Sequence, residues 1–174
     1  LNSRISSWLL SLRSQSIVES VGLSLYHPSE AYCLQNGVVD VFQVPISIYN
    51  QSFLYSPHIQ YLVASGSKLH ARSILLQGLI ALSPSEWPNR HLQTLYTHHH
   101  SFCQYCYANK ISPLDLALQF VHGHPLIDSI LIGVRTPTEL FTLASILEKP
   151  STFSFDPCPW DLSSCSEVNP ANWN

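Results

Sequence analysis

Hydrogen-bonding and charged side chains lie at the C-terminal ends of the apolar, strand-like segments of this sequence, where a parallel α/β fold places its functional groups. The residues at these positions are Ser24, Gln43, Arg72, Ser73 and Arg135. Chemistry in such folds is kept at the carboxyl ends of the strands. Arg135 is followed by Thr136, so a cation and a hydroxyl stand at a predicted helix start, and this combination suits a phosphate group. We therefore expect a ligand site at this edge of the sheet.

Four strand-like segments position these residues, and each is followed by turn residues and a helical pattern. They are VGLSLY (21–26), VVDVFQVPI (38–46), KLHARSI (68–74) and SILIGV (129–134). Four consecutive βα units predict a parallel α/β fold of the (β/α)8 barrel type. The second segment is almost continuously apolar, which predicts a strand buried on both faces.

Capping residues and apolar spacing predict the helices between these strands. The apolar residues from Ile5 to Leu12 recur at helical spacing, so residues ~4–15 form a helix with one apolar face. Later helices begin at Pro28, Ser56-Pro57, Ser112-Pro113 and Thr136-Pro137, and Asn36-Gly37 and Ser65-Gly66 end two of them. Residues 150–174 are expected to form an extended tail of a single partial barrel domain that spans residues 1–174.

The composition excludes several classes of protein and raises one question. In 174 residues, 45% are hydrophobic and 11% charged, against about 25% charged in average chains. Either some of the surface is therefore covered by something else, or the chain is not the whole domain. A net charge of −3 gives no basic footprint for nucleic acid. There is no apolar run of about 18 residues for a membrane span.

The ends of the chain and its cysteines give two further expectations. The sequence begins with Leu1 and contains no methionine, which we interpret as a fragment of a longer coding region. Five cysteines, an odd number without a signal peptide, indicate reduced thiols and a cytoplasmic location.

The chain resembles the aldo/keto reductase family, specifically its C-terminal half. The pieces that carry the resemblance are VGLSLYHPSEA, DVFQVPISIYNQSF, LHARSILLQGLI, LALQFVHGHPLIDSILIGV and VNPANW. They follow the order of the family over roughly residues 12 to 174. The resemblance implies a (β/α)8 TIM-type barrel, of which this chain holds strands five to eight. It also implies an NADP-dependent oxidoreductase that reduces small-molecule aldehydes and ketones.

The resemblance places cofactor residues along this chain. It implies that Ser24 and Gln43 hydrogen-bond the nicotinamide carboxamide, and a hydroxyl with an amide suits that group. Arg72 replaces a stacking aromatic, and a guanidinium also stacks on a ring or pairs with phosphate. The loop that wraps the pyrophosphate and the seat of the adenosine 2′-phosphate correspond to Ser73, Leu75, Gly78, Arg135 and Thr136.

Three substitutions depart from the family pattern. Leu25 stands where the family often has Asn, and Leu143 stands at a second Asn position. Glu139 occupies a Gln or Arg position, where its carboxylate repels a 2′-phosphate. We therefore expect NADP binding to be weakened, or lost in this chain alone.

No catalytic residue is predicted in this chain. The Tyr, Lys, Asp and His of the family come from strands two to four, which the resemblance does not match here. Tyr26, Lys68 and His70 are not assigned to those roles, because Lys68 and His70 lie near the beginning of a strand, the stability end of a barrel.

Two other features of the sequence admit more than one interpretation. His98 to His100 with Cys103 and Cys106 have ligand-like spacing for zinc, but no second cysteine pair follows at the spacing of a zinc finger. We predict no metal and a polar loop or helix. Trp87, Phe153 and Trp160 line a substrate pocket or serve only in packing.

Two alternatives to an enzyme remain open. A half-barrel leaves two sheet edges uncovered, so the chain is an interaction module that pairs with itself or with a separate N-terminal half. Alternatively, Leu25, Glu139 and Leu143 mark an inactive remnant of a reductase.

Overall fold

The computed structural model describes residues 3–33, 39–87, 92–149 and 154–173, and a parallel β-sheet lies at its centre. The sheet has four strands in the order β1-β2-β3-β4, and every neighbouring pair is parallel. The strands are β1 (Gly22–Ser24), β2 (Val41–Pro45), β3 (Lys68–Arg72) and β4 (Ser129–Ile130). The predicted α/β class with four parallel strands is confirmed.

Five α-helices accompany the sheet in the described part of the chain. They are α1 (Ser3–Ser14), α2 (Pro57–Ala64), α3 (Gln93–Ala108), α4 (Pro113–His122) and α5 (Pro137–Leu147). The side chains of Ser56, Ser112 and Thr136 each accept a hydrogen bond from a first-turn N–H of the helix that follows. These caps confirm the predicted starts of α2, α4 and α5, because each satisfies a donor that has no partner inside its helix.

Several short segments are 3₁₀-helices. They are Pro28–Cys33, Leu76–Ala81 (interrupted by non-helical backbone at Gln77 and Gly78), Pro84–Glu86, Cys158–Trp160, Ser166–Val168 and Pro170–Asn172. The helix predicted to begin at Pro28 is therefore a 3₁₀-helix, and its predicted end at Asn36-Gly37 lies outside the described residues. No helix among the described residues has the length and apolar character needed to cross a membrane.

The two central strands alternate between a buried face and a partly exposed face. Phe42 and Val44 of β2, with Leu69 and Ala71 of β3, are buried in the core. The residues between them are partly or fully exposed. The prediction that the second strand is buried on both faces is therefore wrong, because Val41, Gln43 and Pro45 on its second face remain partly exposed.

The fourth strand is much shorter than predicted. We expected residues 129–134, but only Ser129 and Ile130 pair with β3. The backbone N–H of Leu131 still donates to the carbonyl of Ala71. Beyond that point β3 provides no further backbone partners for β4, because Ser73 has a φ of 59° and turns the chain out of the strand direction. β4 therefore ends where its partner ends.

A buried aromatic and imidazole cluster joins α3 to the segment after β2. The Tyr49 hydroxyl lies 2.8 Å from His99 Nδ1, and both residues are fully buried. His99 Nε2 lies 2.9 Å from the carbonyl of Leu82, so the ring is held from both sides. Trp87 stacks on His99 with 4.8 Å between ring centroids. The predicted polar loop or helix is therefore a helix whose inner side belongs to the core.

The C-terminal segment is fastened to the same region by polar contacts. Gln51 is fully buried, and its side-chain amide donates to the carbonyls of Ile48 and Pro157 at 2.9 Å each. The Glu167 carboxylate accepts from Leu95 N at 2.8 Å at the first turn of α3. Because Leu92, the N-cap residue of α3, makes no side-chain cap, Glu167 supplies that function from the tail.

One buried and two partly buried imidazoles make the stability of the protein depend on pH. Burial lowers the pKa of His98, His99 and His124. In the unfolded chain these rings titrate near pH 6.5, so below that pH the unfolded state binds more protons than the folded state. The free energy of unfolding should fall as the pH decreases from 7.5 to 5.5, as measured by urea denaturation. His124→Asn should reduce this dependence, because it removes one of the three rings whose pKa burial lowers. A free energy of unfolding that is constant over this range would contradict the prediction.

Candidate functional site

A row of polar residues crosses all four strands on the less buried face of the sheet. The register places Ser24 beside Gln43, Gln43 beside His70, and His70 beside Ser129. Residues in register on neighbouring parallel strands point to the same face and lie one strand spacing apart. The row therefore offers a hydroxyl, an amide and an imidazole to any ligand at this face.

The observed strand register changes the predicted positions of two of these residues along their strands. We expected Gln43 at the carboxyl end of its strand and His70 near the beginning of the next one. The register pairs them at the same level, in the middle of β2 and β3. The carboxyl ends of those strands are Pro45 and Arg72, which also pair with each other.

Ser24 and Gln43 are available to a ligand. Ser24 is exposed and Gln43 is half-buried. Neither side chain has a hydrogen-bond partner among the described residues, so both retain their donors and acceptors. Because Gln43 is half-buried, its unpaired amide costs less than the fully buried amide that the sequence suggested.

Arg72 connects the ends of β1 and β3. Its guanidinium lies over the Tyr26 ring at 4.6 Å from the centroid. Nη2 donates to the carbonyl of Leu25 at 3.2 Å, and Nη1 donates to Ser73 Oγ at 3.3 Å. One face of the planar guanidinium is therefore stacked on Tyr26, and a planar group can still stack on its other face.

The loop after β3 has a backbone conformation that most side chains avoid. Ser73, Leu76 and Gln77 have φ values of 59°, 46° and 54°, and Gly78 has 93°. Non-glycine residues in the left-handed region cost of order 1 kcal/mol each and persist where the surroundings hold them. Here Leu76, Leu79 and Ile80 are buried and anchor the loop in the core. Strain held in this way is typical of functional loops.

Two cavities lie on either side of this loop. A cavity of about 880 Å³ is lined by the predicted residues Ser73, Leu75, Gly78, Arg135 and Thr136, together with residues of the β4–α5 connection and α5. A second cavity of about 610 Å³ lies between the carboxyl ends of the strands and the tail, and Arg72 and Ser73 line it. Ser73 and Gln77 line both. The structure thus brings five of the eight predicted site residues to one cavity, whereas Ser24 and Gln43 line neither cavity.

At the start of α5, the place where a phosphate would bind is occupied by the carboxylate of Glu139. The Thr136 hydroxyl accepts from Glu139 N at 3.1 Å, and the Glu139 carboxylate accepts from Arg135 N at 2.7 Å. The same carboxylate lies 3.7 Å from the Arg135 guanidinium. The Thr136 side chain thus caps the first turn of α5, and Glu139 reaches back to the residue before the N-cap. Two donors that a phosphate would use are thus engaged by residues of the chain itself.

The stretch of histidines and cysteines forms no metal site among the described residues. No group of three or more His, Cys, Asp or Glu side chains is placed to hold an ion there. Burial raises the pKa of Cys103, and it raises the pKa of Cys106 to about 12. Buried thiols held in the protonated form are poor nucleophiles and poor ligands. The four cysteines with described side chains, Cys103, Cys106, Cys158 and Cys165, are free.

The aromatic residues suggested for a substrate pocket serve in packing. Trp87 is buried and its indole N–H donates to the carbonyl of Leu79 at 3.0 Å. Trp160 packs edge-on against Phe102, with 5.1 Å between centroids. Neither lines one of the two cavities, and Phe153 lies outside the described residues.

Sequence reasoning missed Gln77, His70 and Ser129 as members of this region. Gln77 carries no local signal, because its left-handed conformation is imposed by the buried residues around it. His70 and Ser129 could have been found by aligning the strand segments in register with Gln43, since residues at one level of a parallel sheet share a face.

Comparisons with known proteins agree at the level of the fold. The structure is similar to that of the aldo-keto reductase AKR11C1 from Bacillus halodurans in its apo form, with a TM-score of 0.68 and 15% sequence identity. The match covers 85% of this chain and 52% of the other, so the chain spans about half the length of that protein. No family model and no curated protein matches the sequence.

The left-handed glycine of the loop provides a test of its backbone. A Cβ added at Gly78 or at Gly133 would meet nothing within 4 Å, but only Gly78 has a positive φ, 93°. Gly78→Ala should lower the free energy of unfolding by about 1–2 kcal/mol, because an L-residue is strained there. Gly133→Ala should be neutral or slightly stabilising. Both are measured by urea denaturation, and equal effects of the two substitutions would contradict the conformation described for the loop.

Proposed function

We propose that this chain forms the cofactor side of an aldo/keto reductase-like oxidoreductase that uses NADP(H). In this proposal its four strands correspond to strands five to eight of a (β/α)8 barrel. The observation that carries the proposal is the 880 Å³ cavity, which collects Ser73, Leu75, Gly78, Arg135 and Thr136 at the carboxyl edge of the sheet. The likeness in fold to an aldo-keto reductase supports the same assignment.

The described residues fit a nicotinamide better than they fit a 2′-phosphate. Ser24 and Gln43 offer a hydroxyl and an amide without partners, which together can satisfy the acceptor and the two donors of a carboxamide. Arg72 offers a guanidinium face for stacking against a ring. At the start of α5, by contrast, Glu139 places a carboxylate beside the only cation of the phosphate seat, Arg135.

A bound nicotinamide supplies the hydride that reduces a carbonyl carbon. The residues of this chain bind and orient the cofactor in that reaction. Gln43 and Ser24, whose side chains have no partners among the described residues, would hold the carboxamide and so orient the ring. The loop from Ser73 to Gly78 would lie over the cofactor, and the tail that lines the 610 Å³ cavity would limit the space for a small carbonyl substrate. Proton donation to the carbonyl oxygen is assigned to another part of the barrel, so this chain alone should not reduce carbonyl compounds.

The substitution Glu139→Gln tests this assignment. Glutamine removes the charge, but its carbonyl oxygen can still accept from Arg135 N and the Thr136 cap is unchanged, so α5 should remain capped. The dissociation constant for NADPH should decrease by about three- to tenfold, because roughly 1 kcal/mol of charge repulsion is removed. The dissociation constant for NADH, which has no 2′-phosphate, should not change. Titration calorimetry or nucleotide fluorescence measures both constants.

Glu148→Gln is the matched control, because Glu148 is exposed at the other end of α5. It should leave both dissociation constants unchanged. If neither the parent chain nor Glu139→Gln binds NADPH at millimolar concentration, the proposed function is wrong. An equal improvement for NADPH and NADH would instead remove Glu139 from the neighbourhood of the 2′-phosphate.

A further inference from the structure

Arg72 is a half-buried cation that no carboxylate neutralises in the described part of the chain. The ion pairs found there belong to two other arginines, Arg13 and Arg135. The hydrogen bonds of the Arg72 guanidinium go to neutral oxygens, the carbonyl of Leu25 and the hydroxyl of Ser73. Because a guanidinium has five N–H donors, these two bonds leave three of them unused. A charge that is partly removed from water is unfavourable unless it is paired, so this position favours an anion.

The cavity of about 610 Å³ that Arg72 lines has no Asp or Glu among its described lining residues. Glu30 and Asp161 lie on neighbouring segments, where each accepts hydrogen bonds from backbone N–H groups, and neither lines the cavity. Besides Arg72, the described lining contains one other group that can carry a positive charge, the exposed imidazole of His27. A cleft lined by charge of one sign attracts ligands of the opposite sign.

The neutral polar groups of this cavity are engaged by the chain itself. Ser47 Oγ accepts from Asn50 N at 3.1 Å, and the Asn50 side chain also bonds within the same turn. In the tail, Asn169 and Asn172 each make a side-chain hydrogen bond to the tail backbone. These bonds hold the turn and the tail in shape. Recognition of a charged ligand therefore depends on Arg72.

We propose that this cavity takes a carbonyl compound that carries one carboxylate group, and that Arg72 binds the carboxylate. The fork of a guanidinium matches a carboxylate with two parallel N–H···O bonds. One cation balances the single charge of a carboxylate, whereas a phosphate monoester carries about −1.5 to −2 at pH 7 and is only partly balanced. The carbonyl part of the ligand rests on the proposed function, but the carboxylate site rests only on Arg72 and its cavity.

The guanidinium can hold a stacked ring and a carboxylate at the same time. A planar group stacks through its faces and donates hydrogen bonds through its edge. The Tyr26 ring covers one face, with 4.6 Å between its centroid and the central carbon of the guanidinium. The other face suits the nicotinamide of the proposed function, and the unused edge donors suit the substrate. The pyrophosphate of a cofactor is a second source of anionic oxygen, since Ser73 and Gln77 line both cavities.

A titration of the 174-residue chain with 2-oxopentanoate, followed by backbone amide NMR shifts, tests the site without cofactor. The dissociation constant should be about 1–10 mM, as expected for a small ligand held by one ion pair. Methyl 2-oxopentanoate keeps the carbonyl group but has no charge. It should bind at least about tenfold more weakly, because the charge-assisted hydrogen bonds are lost. The shifts should be confined to residues that line the 610 Å³ cavity.

Substitutions at the two ends of β3 separate the carboxylate site from a general effect of charge. Arg72→Gln should raise the dissociation constant of 2-oxopentanoate at least about tenfold and leave the weak binding of the ester unchanged. Arg72→Lys keeps the charge but loses the fork, so its value should be intermediate. Lys68→Gln is the matched control, because Lys68 is exposed at the other end of β3 and the same charge is removed. It should change neither constant.

Equal binding of the acid and the ester by the parent chain would overturn the inference, as would the absence of shifts at about 50 mM acid. An unchanged constant in Arg72→Gln would also overturn it. If Arg72 serves the pyrophosphate instead, saturating NADPH should abolish binding of the acid, and this result too would contradict the proposal. A chain that binds 2-oxopentanoate through Arg72 but does not bind NADPH would support the carboxylate site and reject only the proposed function.

Discussion

The register between β2 and β3 determines where the polar groups of this protein lie. Five consecutive pairs, from Val41 with Lys68 to Pro45 with Arg72, place Gln43 beside His70 and end both strands at one level. The buried side chains between them hold this register, because a shift by one residue would turn the apolar residues of a strand to the open face. Ser24 and Ser129 then join the same row through β1 and β4. The loop after Arg72 starts from this level, so the position of the large cavity depends on it as well.

The loop and the start of α5 have opposite effects on how well that cavity can bind a phosphate. The left-handed residues between Ser73 and Gly78 form a strained wall that buried leucine and isoleucine side chains hold in place. Such a wall is organised before any ligand arrives, so little ordering is required on binding. At the other wall, the carboxylate of Glu139 satisfies the helix start and neutralises Arg135. The shape of the cavity is therefore formed before a ligand binds, but its charge attracts a phosphate only weakly.

Much of the fold follows from local sequence signals, and the exceptions have physical reasons. Ser56, Ser112 and Thr136 identified three helix starts because a cap is a local interaction with the next turn. The extent of β4 was not predictable from SILIGV, because the strand ends where β3 turns away at Ser73. The buried side of α3 was equally unpredictable from the sequence. His99 is held in the core by contacts with Tyr49 and Leu82, which are distant in sequence. For the candidate site, the sequence named five residues that line one cavity, whereas the common level of Gln43 and His70 required the register.

The most direct test of a nucleotide site at this edge is backbone hydrogen exchange of the 174-residue chain with and without saturating NADPH. The account predicts slower exchange in residues 73–80 and 131–136, which line the large cavity, and little change in the outward half of α3. Protection confined to α3 or to the tail would contradict the account. So would an exchange pattern that NADPH leaves unaltered.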